Sequence, residues 1–158
     1  MTPAITRKRL SRSPEETEEF ASALGARLNP GDLVALIGDL GAGKTVFARG
    51  LCAGLGVESV VKSPTFVLVR EYAGRCAVLH ADAYRLDGRS EWEGLGIEER
   101  RSVSVVIVEW ADRVLPELGS PVLTVWIEDG ATEDQRRLTL TGSKQLLDGL
   151  PETRGDKP

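Results

Sequence analysis

The chain has 158 residues, 41% of them hydrophobic and 28% charged, and its 24 acidic against 20 basic side chains leave a formal net charge of -4. One domain fits this length, and such a domain buries roughly two thirds of the surface its unfolded chain exposes, so it needs no disulfide or metal staple. The acidic balance excludes the electrostatic footprint of a stand-alone binder of DNA or RNA; any nucleic acid in its pathway is expected to be held by a partner.

The opening segment, MTPAITRKRLSRSPEE, carries basic residues but no apolar stretch of secretory length, and no segment reaches the ~18 apolar residues of a membrane span. A cytoplasmic chain with no membrane partner is expected. Ser13 is placed to cap a helix, with Pro14 in the first helical position and Glu16 reaching back, and Phe20, Leu24 and Leu28 then share one face. This predicts a helix over 13–28, ended by Asn-Pro-Gly. DLVALIG (32–38) follows as a short apolar strand, then a glycine-rich loop, then a second helix from Lys44 to Leu55 that stops at Gly54 and Gly56.

After KSPTF (62–66), the runs VLVREY (67–72) and CAVLHAD (76–82) read as a strand pair. DGRSEWEGLGIEERR (87–101) is polar with scattered apolar anchors and predicts one or two short helices. VSVVIVEW (103–110) is a continuous β-branched run, which suits a parallel strand covered on both faces. PVLTVWIE (121–128) and RRLTLT (136–141) are two further strands with a polar turn between them. A single domain over residues 1–141 is therefore expected, followed by a loosely ordered tail over 142–158. The two cysteines, Cys52 and Cys76, match no metal or redox spacing and read as buried, reduced thiols.

Chemistry concentrates in the glycine loop. Gly38, Asp39, Leu40, Gly41, Ala42, Gly43, Lys44 and Thr45 spell GDLGAGKT and fit the pattern G-x-x-x-x-G-K-S/T between a strand and a helix. Glycines let the backbone wrap a phosphate, its N–H groups point inward, and the helix N-terminus favours the negative charge. Lys44 is expected to reach the β- and γ-phosphates of a nucleoside triphosphate, with the Thr45 hydroxyl on magnesium. The competing structural reading is a glycine turn that only joins strand to helix.

A hydrolytic or transfer site also needs an acid to order magnesium or water. Glu109 closes VSVVIVE in the manner of a Walker B element, and Asp82 follows CAVLHA in the same way. Ligands of open parallel sheets collect beyond the carboxyl ends of strands, so both acids are candidates to face the loop. Either one alone fits an ordinary solvated acid; the pair, together with a phosphate loop, reads as function. Pro64 stiffens the segment before Thr65, whose hydroxyl is a candidate sensor of γ-phosphate or magnesium. His80, the only histidine, is given a supporting role. Trp110 reads as core or as a mobile contact, and Trp92 and Trp126 as packing.

Taken together, GDLGAGKT, SPTF, HADAYRL, EWEGLGI and IVEW, in this order and spacing, resemble the TsaE family of bacterial ATPases of tRNA threonylcarbamoyladenosine biosynthesis. The resemblance covers about residues 10–141. Phe66 and Ala83 depart from it, standing where tyrosine and leucine are more usual. It implies a three-layer α/β, P-loop NTPase-like fold with a central, mostly parallel or mixed sheet, and weak intrinsic ATP hydrolysis. It also implies a role beside the TsaD and TsaB proteins, which move a threonylcarbamoyl group onto the adenosine next to the anticodon of tRNAs reading codons that begin with A. By the same resemblance Lys44, Thr45, Thr65, Asp82, Glu109 and Trp110 are the functional positions. Thr45 and Glu109, with Asp82, would surround magnesium.

Three rival readings remain at this level. A GTP-dependent switch lacks its guanine-reading segment, since the single asparagine, Asn29, is followed by proline and glycine. A small P-loop kinase acting on a metabolite would use Asp82 as base and Arg85 on the acceptor, with RLDGRSEWEGLGIEERR as its only lid candidate. A non-catalytic module would bind ATP without needing its hydrolysis.

Overall fold

A computed structural model describes residues 4–65 and 67–150. Three apolar runs form its centre: β2 (Leu33–Ile37), β4 (Ala77–Asp82) and β5 (Ser104–Glu109). Every residue of β5 is buried, because β2 and β4 flank it in parallel and layers of helix cover both of its faces. β6 (Leu123–Asp129) adds a fourth parallel strand on the far side of β2. Antiparallel strands close the two edges. β3 (Val69–Ala73) pairs with β4 at one edge; at the other, β7 (Arg136–Ser143) pairs with β6 and β1 (Ala4–Ser11) with β7, so the sheet is mixed and its order is β1-β7-β6-β2-β5-β4-β3.

One face of the sheet carries α1 (Pro14–Gly25), α2 (Lys44–Gly54) and α5 (Lys144–Leu147), packed over Phe20, Leu24, Phe47, Leu51, Ile107 and Val125. The other face carries α3 (Arg89–Gly94), a 3-10 turn over Glu98–Val103, another over Ala111–Arg113, and α4 (Leu115–Leu118), packed around Trp92, Ile97 and Leu118. This is the three-layer α/β architecture with a mostly parallel or mixed sheet that the family resemblance implies. The α1 start is also as expected. Ser13 Oγ accepts from the Glu16 amide at 3.1 Å, and the Glu16 carboxylate reaches back to the Arg12 amide at 2.6 Å.

Several features differ from the sequence reading. Residues 4–11, read only as a basic segment, form an edge strand, β1 (Ala4–Ser11), antiparallel to β7. Its apolar content is too thin to announce a strand, and lysine and arginine along an exposed edge are what keeps such an edge from pairing with other chains. The tail expected to be loose over 142–158 is ordered as far as it is described. β7 runs on to Ser143, whose side chain caps α5, and Leu146, Leu147 and Leu150 are buried. Residues 151–158 lie outside the described residues. β3 begins at Val69, two residues later than the apolar run, because Leu68 takes a left-handed conformation (φ 68°) with its amide on the Pro64 carbonyl. Trp126, on β6, is exposed, whereas Trp92 is buried as packing requires. Cys52 is buried, and its thiol is pushed up to about 12; Cys76 is only half-buried. Among the described residues no helix is long and apolar enough to cross a membrane.

α1 and α2 touch more closely than ordinary side chains allow. A Cβ at Gly50 would meet the Glu18 carbonyl, and one at Gly54 would meet the Ser22 carbonyl, both backbone atoms of α1. The glycine pair therefore sets the depth at which α2, and with it the loop at its N-terminus, sits against the sheet. Gly54→Ala is expected to force the helices apart and cost about 1–3 kcal/mol, read as a lower unfolding midpoint in urea. A midpoint equal to that of the unmodified chain would show that the helix pair can relax at no cost.

Candidate functional site

The glycine loop begins where β2 ends, beside the ends of β4 and β5. In the parallel register Asp82 lies opposite Glu109, and Glu109 opposite Leu36. Both acids thus emerge at the same sheet edge as the loop, one strand apart. Gly43 turns the loop into α2 with φ 108°, a conformation that a side chain rarely adopts, and the Phe47 amide bonds back to its carbonyl. Lys44 and Thr45 are then the first two residues of α2.

These side chains meet in a cleft of about 280 Å³ lined by the loop, Lys44, Thr45, Ser63, Thr65, Asp82, Glu109 and Trp110. Thr45 Oγ1 donates to Glu109 Oε1 at 2.9 Å. Thr65 Oγ1 donates to Asp82 Oδ2 at 3.0 Å and lies 2.6 Å from Ser63 Oγ, while Asp82 Oδ1 accepts from the Tyr84 amide at 2.8 Å. Lys44 Nζ folds back on its own loop, donating to the carbonyls of Gly38 (2.6 Å) and Asp39 (2.8 Å). Burial lowers the Lys44 ammonium from its ordinary value, against the attraction of Glu109, Asp82, Asp112 and Asp39.

A ring roofs that cation. The Trp110 ring centre lies 3.8 Å from Lys44 Nζ and 4.7 Å from the ring of Tyr84, over which the Arg113 guanidinium sits at 5.2 Å. Trp110 itself is left-handed (φ 56°, ψ 38°), a strained conformation for a large side chain and the kind that clusters at working sites.

The structure brings together Lys44, Thr45, Thr65, Asp82, Glu109 and Trp110, all singled out from the sequence. Phe66 lies outside the described residues. Sequence reasoning did not find three contributors. Ser63 shares the Thr65 hydroxyl, and the Tyr84 ring supports Trp110. Arg136, at the start of β7, donates to the loop carbonyl of Ala42 at 2.9 Å and to that of Gly41 at 3.4 Å. It also holds the Glu133 and Gln135 carbonyls of the preceding turn. Nothing local signals Arg136, since it lies 94 residues from Ala42 in the chain.

A three-layer α/β fold whose GDLGAGKT loop faces acids at the ends of adjacent parallel strands defines the class: a P-loop NTPase-like protein. The family model described as "Threonylcarbamoyl adenosine biosynthesis protein TsaE" matches residues 11–138. The tRNA threonylcarbamoyladenosine biosynthesis protein TsaE of Bacillus subtilis is 40% identical over 131 residues, 82% of this chain and 81% of that protein. The Streptomyces coelicolor protein of the same name is 43% identical over 131 residues, 78% of this chain and 88% of its own. The crystal structure of Bacillus subtilis YdiB superposes with a TM-score of 0.71 at 33% identity, covering 92% of this chain and 90% of that one. The chain belongs to the TsaE family.

Arg136→Ala would leave the loop and turn carbonyls without their charged donor. Faster amide exchange over residues 41–45 is expected, with a stability loss of about 1.5–3 kcal/mol. Hydrogen-exchange mass spectrometry tests this, and unchanged exchange in that segment would mean the loop is held by its own backbone alone.

Proposed function

We propose that this chain is a magnesium-dependent ATPase that supports threonylcarbamoylation of the tRNA adenosine next to the anticodon, working in the cytoplasm on an assembly of TsaD and TsaB. The observation that carries this reading is the hydrogen bond from Thr45 to Glu109, which joins the first turn of α2 to the end of β5 beside Asp82 and Lys44. Family membership adds the pathway. The net charge of -4 argues for contact with tRNA through the protein partners.

The side chains present fit the groups this activity requires. Loop backbone and the α2 N-terminus favour a phosphate chain, and Lys44 is a cation that donates to carbonyls of its own loop. On nucleotide binding its ammonium would exchange those carbonyls for β- and γ-phosphate oxygens, a stronger charge-assisted contact. Thr45, Glu109 and Asp82 offer a hydroxyl and two carboxylates. Such a set leaves coordination positions for phosphate and water, as magnesium prefers. When bound, magnesium would offset the charge that builds on the transferring phosphoryl group. Glu109 and Asp82 would orient the attacking water, and the Thr65 hydroxyl, now tied to Asp82, would sense whether the γ-phosphate is in place.

Steady-state ATP hydrolysis, measured for the pure protein, with candidate metabolites, and with purified TsaD and TsaB, tests the proposal. Slow turnover that the TsaD and TsaB pair accelerates is expected. Acceleration by a metabolite alone would instead make the protein a small kinase with Asp82 as its base.

Lys44→Ala is expected to weaken ATP binding by roughly 1.5–3 kcal/mol, since the site loses a charge-assisted hydrogen bond. Glu109→Ala should instead retain most of the nucleotide affinity and lose the magnesium-dependent turnover. Calorimetry and the hydrolysis assay separate the two effects. Unchanged ATP affinity in Lys44→Ala would contradict the assignment of the loop.

A further inference from the structure

Glu109 has a hydrogen-bond partner that is not among the residues lining the cleft, a histidine. His80 sits on β4 two residues before Asp82 and is fully buried. Its Nε2 is 2.5 Å from Glu109 Oε2, while the other carboxylate oxygen, Oε1, accepts from Thr45. His80 Nδ1 is buried with no hydrogen-bond partner among the described residues.

That orphan nitrogen decides where the proton is. A proton on Nδ1 would be a buried donor with no acceptor, and it would leave the bare Nε2 lone pair facing a carboxylate oxygen. A proton on Nε2 satisfies the short contact and leaves at Nδ1 only an acceptor without a donor, which is the lesser penalty. Glu109 is itself almost wholly buried, so an Oε2 lacking this donor would turn toward the donors on its other side, Thr45 and Lys44.

We propose that His80 is the positioning residue of Glu109: its Nε2–H ties down one carboxylate oxygen so that the other is held toward Thr45 and the cleft. The inference rests on the reading that Glu109 works at a magnesium-nucleotide site, and it assigns His80 no contact with the nucleotide. Partners that orient a metal-binding group from behind commonly carry such consequences, and their loss costs about 10–100-fold in activity or metal affinity.

Because His80 is the only histidine of the chain, its ring nitrogens can be read without assignment by 15N-edited NMR. The expected spectrum is that of the Nε2–H tautomer, and Glu109→Ala should displace the Nε2 signal. In hydrolysis assays His80→Leu should lower the turnover number about 10–100-fold while ATP affinity, measured by calorimetry, stays unchanged. His80→Gln, whose side-chain amide can present an N–H to the same oxygen, should recover most of the turnover. An Nδ1–H tautomer, a folded His80→Leu with full turnover, or a folded His80→Gln as slow as the leucine variant would each overturn the proposal. If His80→Leu does not fold, the glutamine variant and the tautomer decide. Lys44→Ala run in parallel separates the two levels: its loss of turnover beside a fully active His80→Leu removes His80 and leaves the nucleotide site standing, whereas full turnover in both would remove the site.

Discussion

The parallel register of β2, β5 and β4 is the constraint on which the site depends. Three adjacent strands that run the same way end at the same edge, so the loop after β2, Glu109 at the end of β5 and Asp82 at the end of β4 arrive together without any long side chain having to search for the others. Parallel strands need covering on both faces, because each lies deep in the sheet and carries apolar side chains up and down. The two helical layers supply that cover, and the apolar content of the chain is spent chiefly there.

Depth is set from the opposite direction. α2 carries Lys44 and Thr45 at its first turn, and its position is fixed by the close approach to α1 at Gly50 and Gly54. A small change in that spacing would move the Thr45 hydroxyl relative to Glu109, whose own carboxylate is held from behind by His80. Rigid elements on both sides thus meet across one hydrogen bond. Arg136 adds a third restraint, from the antiparallel edge, on the carbonyl side of the loop.

The charge balance of the cleft explains how a cation and two carboxylates persist in it. Lys44 satisfies its donors on the Gly38 and Asp39 carbonyls and lies under the Trp110 ring, so no direct ion pair to either acid is needed. Asp82 is occupied by the Thr65 hydroxyl and the Tyr84 amide, and Glu109 by Thr45 and His80. Each acid is hydrogen-bonded through both oxygens, which is what buried carboxylates require.

What the sequence determined by itself was everything carried by local pattern. Proline, a capping serine and a helical period marked α1; the glycines and Lys-Thr pair marked the loop; apolar runs ending in Glu109 and Asp82 marked two strand ends. Those signals lie within a few residues of one another, so one turn or one strand is enough to express them. Only the tertiary structure decided the rest. β1 and α5 have weak local signals and are ordered because β7 and the core receive them. His80 looks like any strand residue until the register of β4 against β5 sets it behind Glu109, and Arg136 reaches a loop 94 residues away. The energies that place them come from contacts between segments distant in the chain, and a reading that moves along the chain has no term for those.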